Sequence, residues 1–236
     1  MVQTGSRAAD ETAGSGGETG EAPGEAKARI LAAAERLFAE HGYSGVSLRS
    51  IMAEAEVNTA SIHYYFRHKE GLLRAIFEMR VTPMNEERLE RLAALERDSA
   101  NGVPEVGAVL RAFIEPAIRR TRAKGGQAFN RISALCSVDP DPAVRQVVFD
   151  SYDTVSRRFT ALLRKACPHL DDEEFYWRQH CIYGSMMYMR TDNGRVAYLL
   201  GDRGAGHSEV ALQQLLVFLT AGMAAPGTGA KGAAGA

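Results

Sequence analysis

Residues 47–66 have the sequence SLRSIMAEAEVNTASIHYYF, which predicts two short helices joined by a tight turn. Ser47 is suited to begin the first helix, because its side-chain oxygen can accept a hydrogen bond from a free amide of the first turn. The apolar positions of this helix are spaced to share one face: Leu48, Ile51, Met52 and Ala55. Two short helices in this arrangement are typical of a helix-turn-helix, whose second helix enters the major groove of DNA.

In the second helix, which Asn58 or Thr59 would cap, Ile62, Tyr65 and Phe66 repeat the apolar spacing and are predicted to pack inward. The remaining side chains are short, polar or aromatic, so they can approach base edges and phosphates. We predict that a set of outward-facing residues contacts DNA, with the first and last on phosphates: Arg49, Thr59, Ala60, Ser61, His63, Tyr64 and Lys69.

These residues carry a family resemblance. Residues 27–79 resemble the N-terminal domain of the TetR/AcrR-type transcriptional regulators, through the order of KARILAAAERLFAEHGY, the serine-capped helix and VNTASIHYYFRHKEGLL. Two later stretches, YWRQHCIYGSMMYM at 176–189 and SEVALQQLLVFLTAG at 208–222, are similar to the last two long helices of that family. The resemblance implies a sequence-specific DNA-binding regulator with a C-terminal effector-binding half.

The chain departs from the family pattern at two positions of the helix-turn-helix. The family usually has glycine in the turn where this chain has Glu56. A left-handed backbone at a residue other than glycine costs roughly 1–2 kcal/mol. The family often has tyrosine where this chain has His63, so a titratable ring replaces a phenol in the helix that faces DNA.

Composition argues against several other classes of protein. The net charge is −1, but residues 27–80 hold eight Lys and Arg against six acidic residues, which suits a mildly basic DNA-binding domain. The three cysteines lie far apart, and neither a signal peptide nor an apolar stretch long enough to span a bilayer is evident. We therefore expect a cytoplasmic protein that does not bind membranes.

The pattern between the chain termini is helical throughout and predicts an all-α fold. The predicted divisions are a disordered tail at 1–24, an N-terminal three-helix DNA-binding domain at 25–80, a helical ligand-binding and dimerisation domain at 81–224, and a second disordered tail at 225–236. Pro83 is expected to kink or break the helix that links the two domains.

Helices predicted at 172–192 and 208–223 are apolar nearly all round. Such helices are either plain core or meet core on one side and a second subunit or a ligand on the other. We favour a homodimer, because a palindromic DNA site requires two-fold symmetry. The residues predicted at the dimer interface are Tyr188, Leu212, Leu215, Leu216 and Leu219.

Bulky apolar and polar side chains in the C-terminal half also suggest a small-molecule site, although side chains with this spacing are more often core. The predicted ligand-binding residues are Phe113, Phe129, Ile132, Phe149, Tyr152, Trp177, His180, Cys181 and Met187. This lining favours a small and mainly apolar effector, either a fatty-acyl compound or a lipophilic aromatic.

The sequence indicates neither a metal site nor a catalytic site. The adjacent His180 and Cys181 point about 100° apart on a helix and lack a third ligand at Gly184, so we expect no metal. We find no catalytic constellation and expect neither a cofactor nor enzymatic activity.

The sequence thus predicts a repressor that binds a double-stranded operator as a homodimer and is released by a small-molecule effector. One alternative is a helical small-molecule-binding protein or enzyme whose helix-turn-helix does not read sequence, and it would lack salt-dependent DNA affinity. A further alternative is a transcriptional activator, which differs from a repressor only in promoter geometry.

Overall fold

The chain folds entirely into α-helices over the residues that the computed structural model describes, which are 23–99, 102–121, 123–191, 193–201 and 208–229. No strand occurs within these ranges, so the predicted all-α class is confirmed. The helices are α1 (Pro23–His41), α2 (Leu48–Ala55), α3 (Thr59–Phe66), α4 (Lys69–Asp98), α5 (Val106–Arg120), α6 (Gly126–Ser137), α7 (Pro142–Ala166), α8 (Asp172–Arg190), α9 (Arg195–Leu200) and α10 (Ser208–Ala224).

Helices α1 to α3 pack around the start of α4 and form the N-terminal core. The predicted apolar faces lie inside it, with Ile51 of α2 and Ile62 of α3 almost fully buried. Helix α4 contributes Leu72, Leu73, Ile76 and Phe77, which are also buried. The predicted tail at 1–24 falls mostly outside the described residues, but Pro23 and Gly24 already belong to α1.

Helix α4 continues through Pro83, contrary to the expected break. It runs without interruption from Lys69 to Asp98. Val81 and Met84, on either side of the proline, are buried, and this packing offsets the backbone hydrogen bond that proline cannot donate. The predicted boundary at residue 80 therefore lies inside one continuous helix, and the domain division stays a prediction.

The C-terminal half is a helical bundle in which α4 packs against α5 and α7, and α10 packs against α5 and α8. Helix α9, which the sequence did not predict, is short and exposed along its whole length.

The first residues of the predicted C-terminal tail make hydrogen bonds to α8. Arg178 of α8 donates hydrogen bonds to the carbonyl oxygens of Ala225 and Pro226 at 2.6 and 2.9 Å. The hydroxyl of Thr228 donates to the Glu174 carboxylate. Charged groups of α8 thus contact residues 225–229, and the expected disorder of the tail stays a prediction. Residues 230–236 lie outside the described residues.

Candidate nucleic-acid interface

The turn between α2 and α3 is fixed by hydrogen bonds at both ends of α2. The Ser47 hydroxyl accepts from the Ser50 amide at 3.0 Å, which confirms the predicted cap. At the other end Glu56 has φ 53° and ψ 47°, so this residue does adopt the left-handed conformation. Arg29 of α1 donates to the carbonyl oxygens of Ala55 and Glu56 at 3.0 and 3.3 Å, and its positive charge complements the helix C-terminus.

Helix α3 is held with one face in the core and another in solvent. Ile62 and Phe66 are buried and Tyr65 is half-buried, as predicted. Tyr64 is 80% exposed, and the edge of one ring in the Tyr64–Tyr65 pair meets the face of the other at 4.9 Å between centroids. A large aromatic side chain that is almost fully exposed beside a buried core is suited to contact a partner surface.

The exposed His63 ring makes a hydrogen bond within its own chain. Its Nδ1 lies 2.9 Å from the Arg67 carbonyl oxygen, so that nitrogen carries the proton and donates. Arg67 itself has φ 60°, a left-handed conformation that ends α3. The Nε2 atom of this exposed ring takes no part in that hydrogen bond. The side chains of Thr59, Ala60 and Ser61 lie outside the described residues, and their contacts stay predictions.

The two predicted phosphate-binding cations have different surroundings. Arg49 is exposed on α2. Lys69 is half-buried, with its Nζ 4.2 Å from the centroid of the Tyr43 ring, and burial lowers the pKa of its ammonium group. Arg67 is a further exposed cation at the end of α3 that the sequence prediction omitted. Its position directly after the aromatic stretch 64–66 is the signal that could have identified it.

The residues predicted at the dimer interface differ in their burial within the chain. Four of the five are buried inside the chain: Leu212, Leu215, Leu216 and Leu219. They form the stripe of α10 on the side of α5 and α8 within the same chain. Tyr188 is 59% exposed, and so are large parts of Val217 and Phe218 on α10. Apolar periodicity located two faces on α10 but could not say which one belongs to the chain's own core.

The predicted ligand-binding residues do not come together around one site. Phe113, Phe129 and Ile132 are buried, and Tyr152 and Met187 are half-buried. The others are exposed: Phe149, Trp177, His180 and Cys181. Helix α8 turns Phe175, Gln179 and Ile182 toward the core. Trp177 follows Phe175 by about 200° around the helix, so it points away from the predicted pocket.

The core of the C-terminal half instead contains a charged side chain that the sequence prediction missed. Arg88 of α4 is 1% exposed, and its guanidinium carbon lies 4.1 Å from the centroid of the Phe113 ring. Its Nε donates to the Phe113 carbonyl oxygen at 2.7 Å. Within the described residues no carboxylate lies at ion-pair distance from Arg88. Burial lowers the pKa of this guanidinium to about 9, and the neighbouring charge of Arg190 contributes to this shift.

The described residues also bear on whether the chain has metal-binding groups, membrane-spanning helices or reactive cysteines. These contain no group of three His, Cys, Asp or Glu side chains placed to hold a metal ion. None of their helices combines the length and hydropathy needed to cross a membrane. Cys136 and Cys167 are buried and Cys181 is exposed, and burial raises the pKa of the Cys136 thiol to about 12.

Comparison with known families gives two matches along the chain. Residues 30–76 match the family model described as bacterial regulatory proteins of the tetR family. Residues 111–222 match the model described as the tetracyclin repressor-like C-terminal domain. The first match contains α2 and α3 completely, and the second reaches from α5 into α10.

Individual relatives are similar over different lengths. The HTH-type transcriptional regulator YttP of Bacillus subtilis (strain 168) is 47% identical over 47 residues, which are 20% of this chain and 23% of that protein. This match thus spans less than a quarter of the relative's length.

Among solved structures, the fatty acid degradation regulator FadR of Bacillus halodurans superposes with a TM-score of 0.60 and 16% identity, over 83% of this chain and 94% of that chain. A transcriptional regulator of Saccharomonospora viridis in complex with choline superposes with a TM-score of 0.53 and 20% identity, over 83% of this chain and 96% of that chain. These structures share the fold. With both halves of the chain matched in order and α2 and α3 arranged as a helix-turn-helix, the protein belongs to the TetR family of DNA-binding bacterial regulators.

Proposed function

We propose that the protein is a cytoplasmic, non-enzymatic repressor that binds a palindromic operator as a homodimer and releases it when a small effector occupies the C-terminal domain. The observation that carries this proposal is the solvent-exposed face of α3, set on a buried three-helix core, with the exposed cations Arg49 on α2 and Arg67 at the end of α3. Exposed cations beside a helix that fits the major groove supply both phosphate contacts and base contacts.

The roles of individual residues follow from their placement. Arg49 and Arg67 are positioned for phosphates, and Lys69 contributes charge from its place over the Tyr43 ring. Tyr64 and the Nε2 edge of His63 are placed to meet base edges, and the sequence predicts the same role for Thr59, Ala60 and Ser61. Contacts to bases confer sequence preference, whereas contacts to phosphates raise affinity for every sequence.

The dimer face that we propose consists of the exposed apolar residues of α8 and α10: Tyr176, Trp177, Tyr188, Val210, Val217 and Phe218, which are 55–70% exposed in the single chain. Antiparallel contact between α8 and α10 brings the two helices side by side, as the hydrogen bond from Arg178 to the Gly222 carbonyl oxygen indicates. Paired helices with an unpartnered apolar face suit a four-helix bundle with a second copy of this chain, and the two-fold symmetry of a palindrome requires such a pairing.

The dimer is tested by Phe218→Glu, which places a charge in the apolar face without touching the chain's own core. We expect sedimentation to show monomer and operator affinity to fall at least about tenfold, because burying an unpaired charge costs several kcal/mol. Val103→Glu is the matched control, since Val103 is 68% exposed in the segment before α5. A folded Phe218→Glu dimer with wild-type operator affinity would place the interface elsewhere.

Effector release follows from the symmetry of the complex. Two DNA-binding domains must lie roughly 34–36 Å apart to enter successive major grooves. A ligand that binds more tightly to a different separation shifts the population away from DNA. Because α4 belongs to both halves of the chain, it is the helix that we expect to transmit this change.

A further inference from the structure

A small cavity lies where α4, α5, α6 and α8 meet, close to the N-terminal domain. Its volume is about 100 Å³, and its lining includes Arg80, Met84, Arg120, Phe129, Asn130 and Arg190. Three of these residues are arginines, and none of the residues that line the cavity is acidic. This space suits a group the size of a few water molecules, such as a carboxylate or a phosphate, rather than a whole drug-sized ligand.

Two hydrogen-bond donors beside the cavity have no acceptor within the described residues. They are the buried Nε–H groups of Arg120 and Arg190. Leaving a buried charged donor unsatisfied is costly, so such groups call for an explanation. An anion in the cavity would lie beside these two charged side chains and balance part of their charge.

The charges around the cavity are only partly balanced. Arg80 pairs with Glu35, and Arg120 lies 3.5 Å from a Glu87 oxygen. Arg190 donates to the Asn130 amide oxygen, and no carboxylate of the described residues pairs with it. Helix α6 begins at Gly126 in the cavity wall, so the positive end of its dipole adds to the field. Buried Arg88, one helical turn beyond Met84, adds a further positive charge nearby.

The cavity is connected to the DNA-binding domain through Arg80. Its guanidinium makes two hydrogen bonds to the Glu35 carboxylate of α1, at 2.8 and 2.6 Å, and a third to the Lys124 carbonyl oxygen at 3.0 Å. Gly125 permits this approach, since a Cβ atom there would stand 2.1 Å from Arg80 Nη2. An anion in the cavity would compete with Glu35 for the same guanidinium.

We infer that this cavity is an anion-binding effector site, which takes the carboxylate or phosphate group of a small molecule and loosens the Arg80–Glu35 pair that holds α1 to α4. The inference rests on the proposed function, because it names the chemistry of the effector and the route by which it acts. Of the two effector types that the sequence suggested, it favours a fatty-acyl acid over a neutral lipophilic aromatic.

The test measures binding of acetate and of inorganic phosphate to the full chain by titration calorimetry, without DNA, at constant ionic strength. We expect saturable binding of at least one probe, and the stronger one identifies the head group. Arg120→Gln and Arg190→Gln should each weaken that binding about tenfold or more, because each removes a charge-assisted donor. Arg119→Gln is the matched control: it also pairs with Glu87 but does not line the cavity. The inference would be overturned if wild type and the three variants bound the probe equally well, or if wild type bound neither probe.

A second arm measures operator affinity with and without the bound probe. We expect the probe to lower the affinity of wild-type protein and of Arg119→Gln, and to leave Arg120→Gln unaffected. Binding of the probe without any change in operator affinity would overturn the proposed competition for Arg80. A protein that binds no DNA under any condition contradicts the proposed function instead, while the first arm still decides the site.

Discussion

Arg80 of α4 and Glu35 of α1 form a two-point ion pair in which the Glu35 side chain is only 8% exposed. This pair joins the helix that continues into the C-terminal bundle to the first helix of the DNA-binding domain. A buried carboxylate needs a partner of this kind, because an uncompensated charge in the protein interior is costly.

The contribution of this pair to stability is measured with Glu35→Gln. We expect the free energy of unfolding to fall by about 1–3 kcal/mol, because a charge-assisted hydrogen bond is replaced by a weaker one at a buried site. Glu40→Gln is the control on the same helix, as Glu40 is 57% exposed. Urea denaturation of both variants gives the comparison, and equal stabilities would mean that the pair does not hold α1 to α4.

Replacing Glu56 by glycine should stabilise the protein. Glu56 has a left-handed backbone that costs a side-chain-bearing residue roughly 1 kcal/mol, and glycine avoids most of that cost. Ala53→Gly, at an exposed position inside α2, should instead destabilise by about 1 kcal/mol. Opposite shifts in the denaturation midpoints would support the account. A loss of stability in Glu56→Gly would contradict it, because glycine keeps the carbonyl oxygen to which Arg29 donates.

The buried Arg88 should contribute little to stability at neutral pH. Because its pKa in the folded chain, about 9, lies below the 12.5 of an exposed guanidinium, the charged form destabilises the fold at neutral pH. We expect Arg88→Met to be at least as stable as wild type at pH 7. As the pH rises above about 9, the folded wild-type chain loses this positive charge. The difference in the free energy of unfolding between Arg88→Met and wild type should then become smaller. A clear loss of stability in Arg88→Met at pH 7 would show that its bonds to Phe113 dominate.

Thiol reactivity offers an independent view of the dimer face. Cys181 is exposed on α8, whereas burial raises the pKa of Cys136 to about 12 and also raises that of Cys167. Alkylation at pH 7 should therefore modify Cys181 first, since the thiolate is the reactive form. If α8 lies in the dimer, Cys181 should react faster in monomeric Phe218→Glu than in wild type. Equal rates of Cys181 alkylation in the two proteins would argue that α8 lies outside the dimer interface.

Much of the fold was predictable because each helix carries local signals. Ser47, the apolar spacing of α2 and α3, and the family resemblance of residues 27–79 located the helix-turn-helix correctly. The burial of Leu215 and the exposure of Trp177 could not be predicted, because α8 and α10 are apolar on both sides and periodicity does not distinguish core from partner. Arg88 could not be predicted in the core, since arginine is almost never fully buried. The cavity beside Arg190 depends on helices that are distant in sequence, and only the tertiary structure brings them together.

The most direct test of the central claim, that the exposed face of α3 reads DNA, is the salt dependence of binding to an operator selected from random duplexes and to unselected DNA. We expect Tyr64→Ala to weaken operator binding about tenfold or more and to leave unselected DNA almost unchanged, because a base contact confers specificity. Arg49→Ala should weaken both and reduce the salt slope by about 1, while Arg195→Ala, at an exposed cation on α9, should change neither. Operator affinities and salt slopes that are the same in wild type, Tyr64→Ala and Arg49→Ala would contradict the account.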